Sequence, residues 1–183
     1  MSSSSKRYHL IKITRWVACI WMVLAVLSAC TGAASEPESA GDFAIYLVEQ
    51  GTFDPQMDLN QLELEGTPFL SLDDILTYTW ETHEIALTES ARERVEQLEV
   101  PVTGGVPFVV CVGAERIYPG AFWISYSSMS YNGIVIDTLS SQLDDPILRL
   151  QLGYPESPEF FMGEDLRSDP RIQQSLREAG KLR

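Results

Sequence analysis

Four cations, Lys6, Arg7, Lys12 and Arg15, precede an unbroken apolar run from Trp16 to Leu27, and no acidic residue occurs before it. A run of about twelve residues is the length of a secretory h-region and falls short of the ~20 that a spanning helix needs. The cations on its N-terminal side fit the positive-inside bias. The run closes on Leu27-Ser28-Ala29-Cys30, small residues and a cysteine. The alternative is a single-pass anchor that is never cleaved; small residues at the end of the run favour cleavage. Residues 1–29 are therefore expected to be a leader, so the folding problem starts at residue 30.

The segment Leu27-Ser28-Ala29-Cys30 resembles the lipobox of bacterial lipoprotein signal peptides: Leu, a small residue, Ala or Gly, then Cys. The resemblance covers the first thirty residues. It implies diacylglycerol on the Cys30 thiol, cleavage before Cys30, and a mature chain held by lipid at the cell membrane, outside the cytoplasm. Two acyl chains on one cysteine give stable attachment where a single chain does not.

Without the leader, nine cations stand against 26 acids, a formal charge of −17. That balance argues against nucleic acid as a partner and against lying flat on anionic lipid. Of the three cysteines, Cys19 leaves with the leader and Cys30 carries lipid, so Cys111 alone remains and no intramolecular disulfide can form. The fold must rest on its core, in a length that suits one domain. Residues 30–42, rich in small and acidic side chains, read as a flexible tether. Residues 43–183 read as a single α+β domain.

Within that domain Phe43–Val48 is apolar on both faces, as in a central strand. Leu62-Glu63-Leu64 alternates like a short edge strand. Ser71 before Asp73-Asp74, with Leu72, Ile75, Leu76 and Thr79 on one helical face, predicts a helix ending near Trp80. A strand over Ile85–Thr88 leads to a helix capped by Thr88, with Ala91, Val95 and Leu98 inward and Arg92 facing Glu96. Phe108–Val112 is a buried strand, and Gly113-Ala114 suits a two-residue type II′ hairpin. The return through Glu115–Tyr118 is expected to bend at Pro119-Gly120, because proline cannot donate to a ladder. Strands follow over Gly133–Thr138 and Leu148–Leu152, separated by a turn at Asp144-Asp145-Pro146. Pro170 opens a last helix with Ile172, Leu176 and Ala179 inward and Gly180 as its stop. The order predicts an α+β domain with a small mixed or antiparallel sheet and two to three helices.

Residues 83–122 also resemble the periplasmic head subdomain of the protein-export subunit SecD. The matching pieces are Ile85-Ala86-Leu87-Thr88, the helix Ala91–Leu98, the strand Phe108–Val112 and Glu115-Arg116-Ile117. The family's small-residue segment after the hairpin is replaced here by residues 119–123. The likeness implies a ferredoxin-like arrangement and, more remotely, a role as an accessory of protein export.

The chemistry is sparse. His83-Glu84 lacks the second histidine of an H-E-x-x-H pair, so His83 is expected at the surface or in a cap. The chain has too few nitrogen and sulfur ligands for a zinc site, and it lacks the acidic loop of a calcium hand. Cys111 lies in an apolar strand and is expected to pack as a small hydrophobe. No G-x-S-x-G elbow or phosphate-binding glycine loop is present, and no metal or cofactor is expected. Residues 123–132 interleave aromatics with hydroxyls, which suits recognition. Trp123, Tyr126, Ser127, Ser128 and Tyr131 are the candidate binding residues for an unidentified protein or small-molecule partner. The same alternation fits a strand that buries Trp123, Ser125 and Ser127. The leading expectation is a non-enzymatic binding or scaffold module; the alternatives are an export accessory and a hydrolase without a recognisable motif.

Overall fold

The computed structural model describes residues 41–49, 58–139, 147–157 and 159–183. The expected leader, Cys30, most of the expected tether and the turn expected at Asp144-Asp145-Pro146 lie outside the described residues. The domain is α+β: eight strands in one sheet, and two helices among the described residues. The strands are β1 (Phe43–Leu47), β2 (Leu70–Ser71), β3 (Ile75–Thr79), β4 (Glu84–Leu87), β5 (Val106–Val112), β6 (Glu115–Trp123), β7 (Tyr131–Asp137) and β8 (Ile147–Tyr154). Helix α1 is Glu89–Glu96 and α2 is Pro170–Glu178.

The sheet order is β2-β1-β5-β6-β7-β8-β4-β3, antiparallel throughout except for the parallel pair β6–β7. A flat eight-stranded sheet would be about 34 Å wide. Its two edge strands, β2 and β3, are joined by only Leu72–Asp74, and the four peptide steps from Ser71 to Ile75 span at most about 14 Å. The sheet therefore curls until its edges nearly meet. The β3 edge is finished by residues 181–183, which run parallel to it: Lys181 O accepts from Tyr78 N at 2.8 Å, and Arg183 N donates to Tyr78 O at 2.8 Å.

Alternation along the strands divides the apolar side chains between two faces. Phe43 and Ile45 of β1, Phe108 and Val110 of β5, Ile134 and Ile136 of β7, and Leu148 and Leu150 of β8 fill one core together with Ala91, Val95, Ile172 and Leu176 of the helices. The opposite face carries two smaller clusters. Leu62, Val109 and Cys111 form one, and Ala121, Trp123, Tyr131 and Val135 form the other.

Several expectations are corrected. The sheet is large, and it is not ferredoxin-like. In a split β-α-β unit one strand separates the two parallel strands, whereas β6, β7 and β8 all lie between β4 and β5 here. The helix expected over Leu72–Trp80 is a single 3-10 turn, Leu72–Asp74, followed by β3. A bulge between Ile75 and Thr77 turns Ile75 and Tyr78 inward together, and that three-residue spacing imitates a helical stripe. Asp74 caps back onto Ser71, accepting from its N–H at 2.9 Å and its hydroxyl at 3.0 Å.

The bend expected at Pro119-Gly120 is also absent, since β6 runs straight through it. Proline is tolerated there because β7 joins β6 only from Gly120 onward, which leaves Pro119 where one side of the strand is unpaired. Gly120 is required: a Cβ would come within 2.3 Å of the Phe108 ring and 2.8 Å of Ile134 O.

Other elements follow the sequence. Thr88 Oγ1 accepts from Ala91 N at 3.4 Å, Gly113 has φ +59°, and the β5–β6 hairpin closes with Val112 opposite Glu115. Helix α2 ends in a Schellman turn: Lys181 N donates to Leu176 O, Gly180 N donates to Arg177 O, and Gly180 has φ +68°. Ala179 is exposed rather than inward. Ser175 takes the inner position and its Oγ accepts from Phe43 N at 2.8 Å.

Candidate functional site

Parallel neighbours usually need a crossover of a dozen or more residues. The β6–β7 pair has only residues 124–130, which must return along the outer face of the sheet to start β7 beside β6. This path decides the fate of the aromatic-hydroxyl segment. Trp123 and Tyr131 are buried beneath it, their rings 5.3 Å apart, with the Tyr154 ring 6.0 Å from Trp123. Gly105 lies against the same indole, where a Cβ would stand 2.5 Å from Trp123 Cε3. Trp123 Nε1 has no hydrogen-bond partner among the described residues.

The crossover is tied down at three points. The Tyr154 hydroxyl donates to Ser125 O at 2.5 Å, the Ser127 hydroxyl donates to Val102 O at 2.7 Å, and Thr138 Oγ1 donates to Trp123 O at 3.1 Å. Ser127 Oγ also accepts from Met129 N at 3.2 Å. Of the five candidate residues, then, Trp123 and Tyr131 belong to the core and Ser127 is a buried structural clamp. Tyr126, 65% exposed, and the exposed Ser128 are left at the surface.

Tyr126 has apolar company that the sequence did not bring together. Six large hydrophobic side chains are exposed among the described residues; of these, Tyr126 and Met129 lie on the crossover, Val102 on a segment hydrogen-bonded to it, and Phe160 and Met162 on a segment hydrogen-bonded to Asn132 just after it. Ser127 joins the crossover to Val102. Asn132, at the start of β7, accepts from Met162 N at 2.9 Å. Phe161, between Phe160 and Met162, turns inward and lines a hollow of about 300 Å³ with Leu152, Glu156, Ser157 and Arg167. The signal in the sequence was apolar side chains in turn-rich segments, but which of these segments are tied together depends on strand order.

His83 is not at the surface as expected. It is 7% exposed, in the left-handed region at φ +54°, with the Tyr78 hydroxyl 3.0 Å from Nδ1 and Ser168 Oγ 3.5 Å from Nε2. The Trp80 and Tyr78 rings meet it edge-on. Burial pushes the His83 pKa below its ordinary value and the Arg167 guanidinium adds to this, while Asp165 opposes it. Arg167 is itself committed, to Asp165 at 2.8 Å and to Leu150 O at 2.7 Å. That bond is the main reason the Asp165 carboxyl lies below the usual range. Burial raises the Tyr78 and Tyr118 hydroxyls, and the Tyr118 hydroxyl has no hydrogen-bond partner among the described residues. The Tyr78–His83 pair is buried, and the partly exposed Arg167–Asp165 ion pair acts on its imidazole.

Cys111 is buried and burial raises its thiol pKa, which suits packing rather than reactivity. No group of three or more His, Cys, Asp or Glu able to hold a metal ion occurs among the described residues. Among the same residues no helix is long and apolar enough to cross a membrane. No protein-family model, no curated protein and no solved structure matches the chain.

Proposed function

We propose that the protein is a lipid-anchored, extracytoplasmic binding or scaffold module that recognises its partner through the apolar surface around Tyr126. The anchor rests on the Leu27-Ser28-Ala29-Cys30 pattern and the short apolar run before it. The binding role rests on one observation, the exposure of Val102, Tyr126, Met129, Phe160 and Met162 on the crossover and on two segments hydrogen-bonded to it or to Asn132 just after it. Scattered exposed hydrophobics are ordinary, whereas a contiguous group marks an interaction surface. Tyrosine and methionine are enriched at such surfaces because they offer large contact area with an adaptable or amphipathic end. Rigid backing favours the role too: the crossover that carries Tyr126 is held to β8 by Tyr154 and lies on a buried tryptophan.

Photocrosslinking in cells tests this reading. A photoreactive residue in place of Tyr126 or Met162 should yield the same discrete adduct. One in place of Leu76, which is 56% exposed and outside this group, should not. Equal adducts from all three positions, or none from Tyr126 and Met162, would remove the assignment. An adduct with translocon subunits would identify the partner class as the export machinery.

A further inference from the structure

The domain has nine cations, and six of them are engaged. Arg92, Arg94, Arg149, Arg167 and Arg171 bind carboxylates, and Arg116 binds the carbonyls of Leu59 and Leu62. The side chains of Arg177, Lys181 and Arg183 have no such partner among the described residues, and all three fall in the last seven positions. In a chain this acidic, unpaired cations in one place stand out.

Two of them face a hollow of about 580 Å³ between α2 and the turn after β3, lined by Thr79, Trp80, Glu81, Gln173, Arg177, Leu182 and Arg183. Tertiary structure creates the juxtaposition. The Schellman turn at Gly180 reverses the chain, and pairing of Arg183 with Tyr78 and Trp80 fixes it alongside β3. Arg177 by itself would be explained by the dipole at the C-terminal end of α2. Arg183 lies beyond the helix and is not. The hollow also offers the half-buried Gln173 amide, which has no side-chain partner among the described residues, and the half-buried indole of Trp80. Glu81 is the one acidic side chain in its lining. Glu178, nearby on α2, accepts from the Gln174 amide at 2.8 Å.

We propose that this hollow binds a phosphate monoester. Two guanidinium groups match a doubly charged oxyanion better than a carboxylate, and their forked donors suit phosphate oxygens. Gln173 supplies a neutral hydrogen bond, and Trp80 and Leu182 cover the organic part. The phosphate comes either from a soluble ester or from a lipid headgroup.

The test uses the full-length chain in neutral detergent micelles, with calorimetry and tryptophan emission as readouts. Glycerol 3-phosphate represents the soluble source, and dioctanoyl phosphatidic acid the same phosphate on a lipid. Saturable binding of either should weaken about tenfold or more in Arg177→Gln/Arg183→Gln with an unchanged melting temperature. Glu81→Gln should tighten it a few-fold by removing the like charge, a gain that misfolding cannot imitate. Saturation by glycerol 3-phosphate assigns the site to soluble esters, and saturation by the lipid alone assigns it to headgroups. No saturation by either probe at millimolar concentration overturns the proposal. So does equal binding by the double variant, or no response to Glu81→Gln.

Discussion

Tyr78 and His83 meet inside the core with 3.0 Å between the hydroxyl and Nδ1, five residues apart across the tight turn that joins β3 to β4. The backbone of the same tyrosine holds Lys181 and Arg183, and the carbonyl of His83 accepts from Leu150 N at 3.1 Å. One side-chain pair therefore joins the edge strand, β8 and the chain after α2.

Acid should loosen this junction. The His83 pKa is lowered in the folded state, so the unfolded chain binds the extra proton first as pH falls below the ordinary value of 6.5. Stability that is complete above about 6.5 is then lost as pH falls toward the folded-state value. The melting temperature of the wild type should drop between pH 7.5 and 5, and that of His83→Gln should drop less over the same range. At pH 7.5 the variant itself should be destabilised by about 1–3 kcal/mol, because buried partners are left imperfectly satisfied. Parallel pH profiles for the two proteins would show that His83 does not carry the effect.

The aromatic residues of the crossover should separate cleanly. Trp123→Ala removes a buried indole and should cost about 3–5 kcal/mol. Tyr126→Ala changes an exposed side chain and should stay within about 0.5 kcal/mol. Denaturant midpoints measure both, and a comparable loss for Tyr126→Ala would place its ring in the packing rather than on a recognition surface.

Cys111 should label slowly with a thiol reagent in the native domain and fast after denaturation. Arg116 reaches across the outer face to the carbonyls of Leu59 and Leu62, fastening the segment that covers Cys111. Arg116→Met should therefore raise the native labelling rate several-fold, with only a small change in melting temperature, through local opening. An unchanged rate would mean that Leu62 and its neighbours stay in place without the arginine.

Cys30→Ala should block lipidation and leave an uncleaved or mislocalised precursor. Labelling cells with a fatty acid measures this directly. Incorporation that persists in the variant would end the lipoprotein reading.

Much of the fold was legible because it is local. Apolar runs of the right length marked β1 and β5, alternation marked β8, and Thr88, Gly113, Pro170 and Gly180 stand where caps, a hairpin turn and a helix stop require them. The α+β class and the burial of Cys111 followed from those signals. The resemblance of Leu27-Ser28-Ala29-Cys30 to a lipobox is likewise short-range and is read without any fold.

Tertiary structure decided what depends on pairing between distant residues. Ile75 and Tyr78 share a face through a bulge, which no periodicity distinguishes from a helical turn. The extent of the sheet depends on β4 pairing with β8 rather than joining β5, a choice made by long-range register. The parallel pairing of β6 with β7 forces residues 124–130 back over the sheet, so Trp123 and Tyr131 are buried and Tyr126 is not. Segments that carry five exposed apolar side chains are tied to the crossover or to the start of β7, and Arg177 and Arg183 line one hollow, through hydrogen bonds between residues far apart in sequence. Composition and spacing fix what each segment can be, while contacts across the sheet fix what it stands beside.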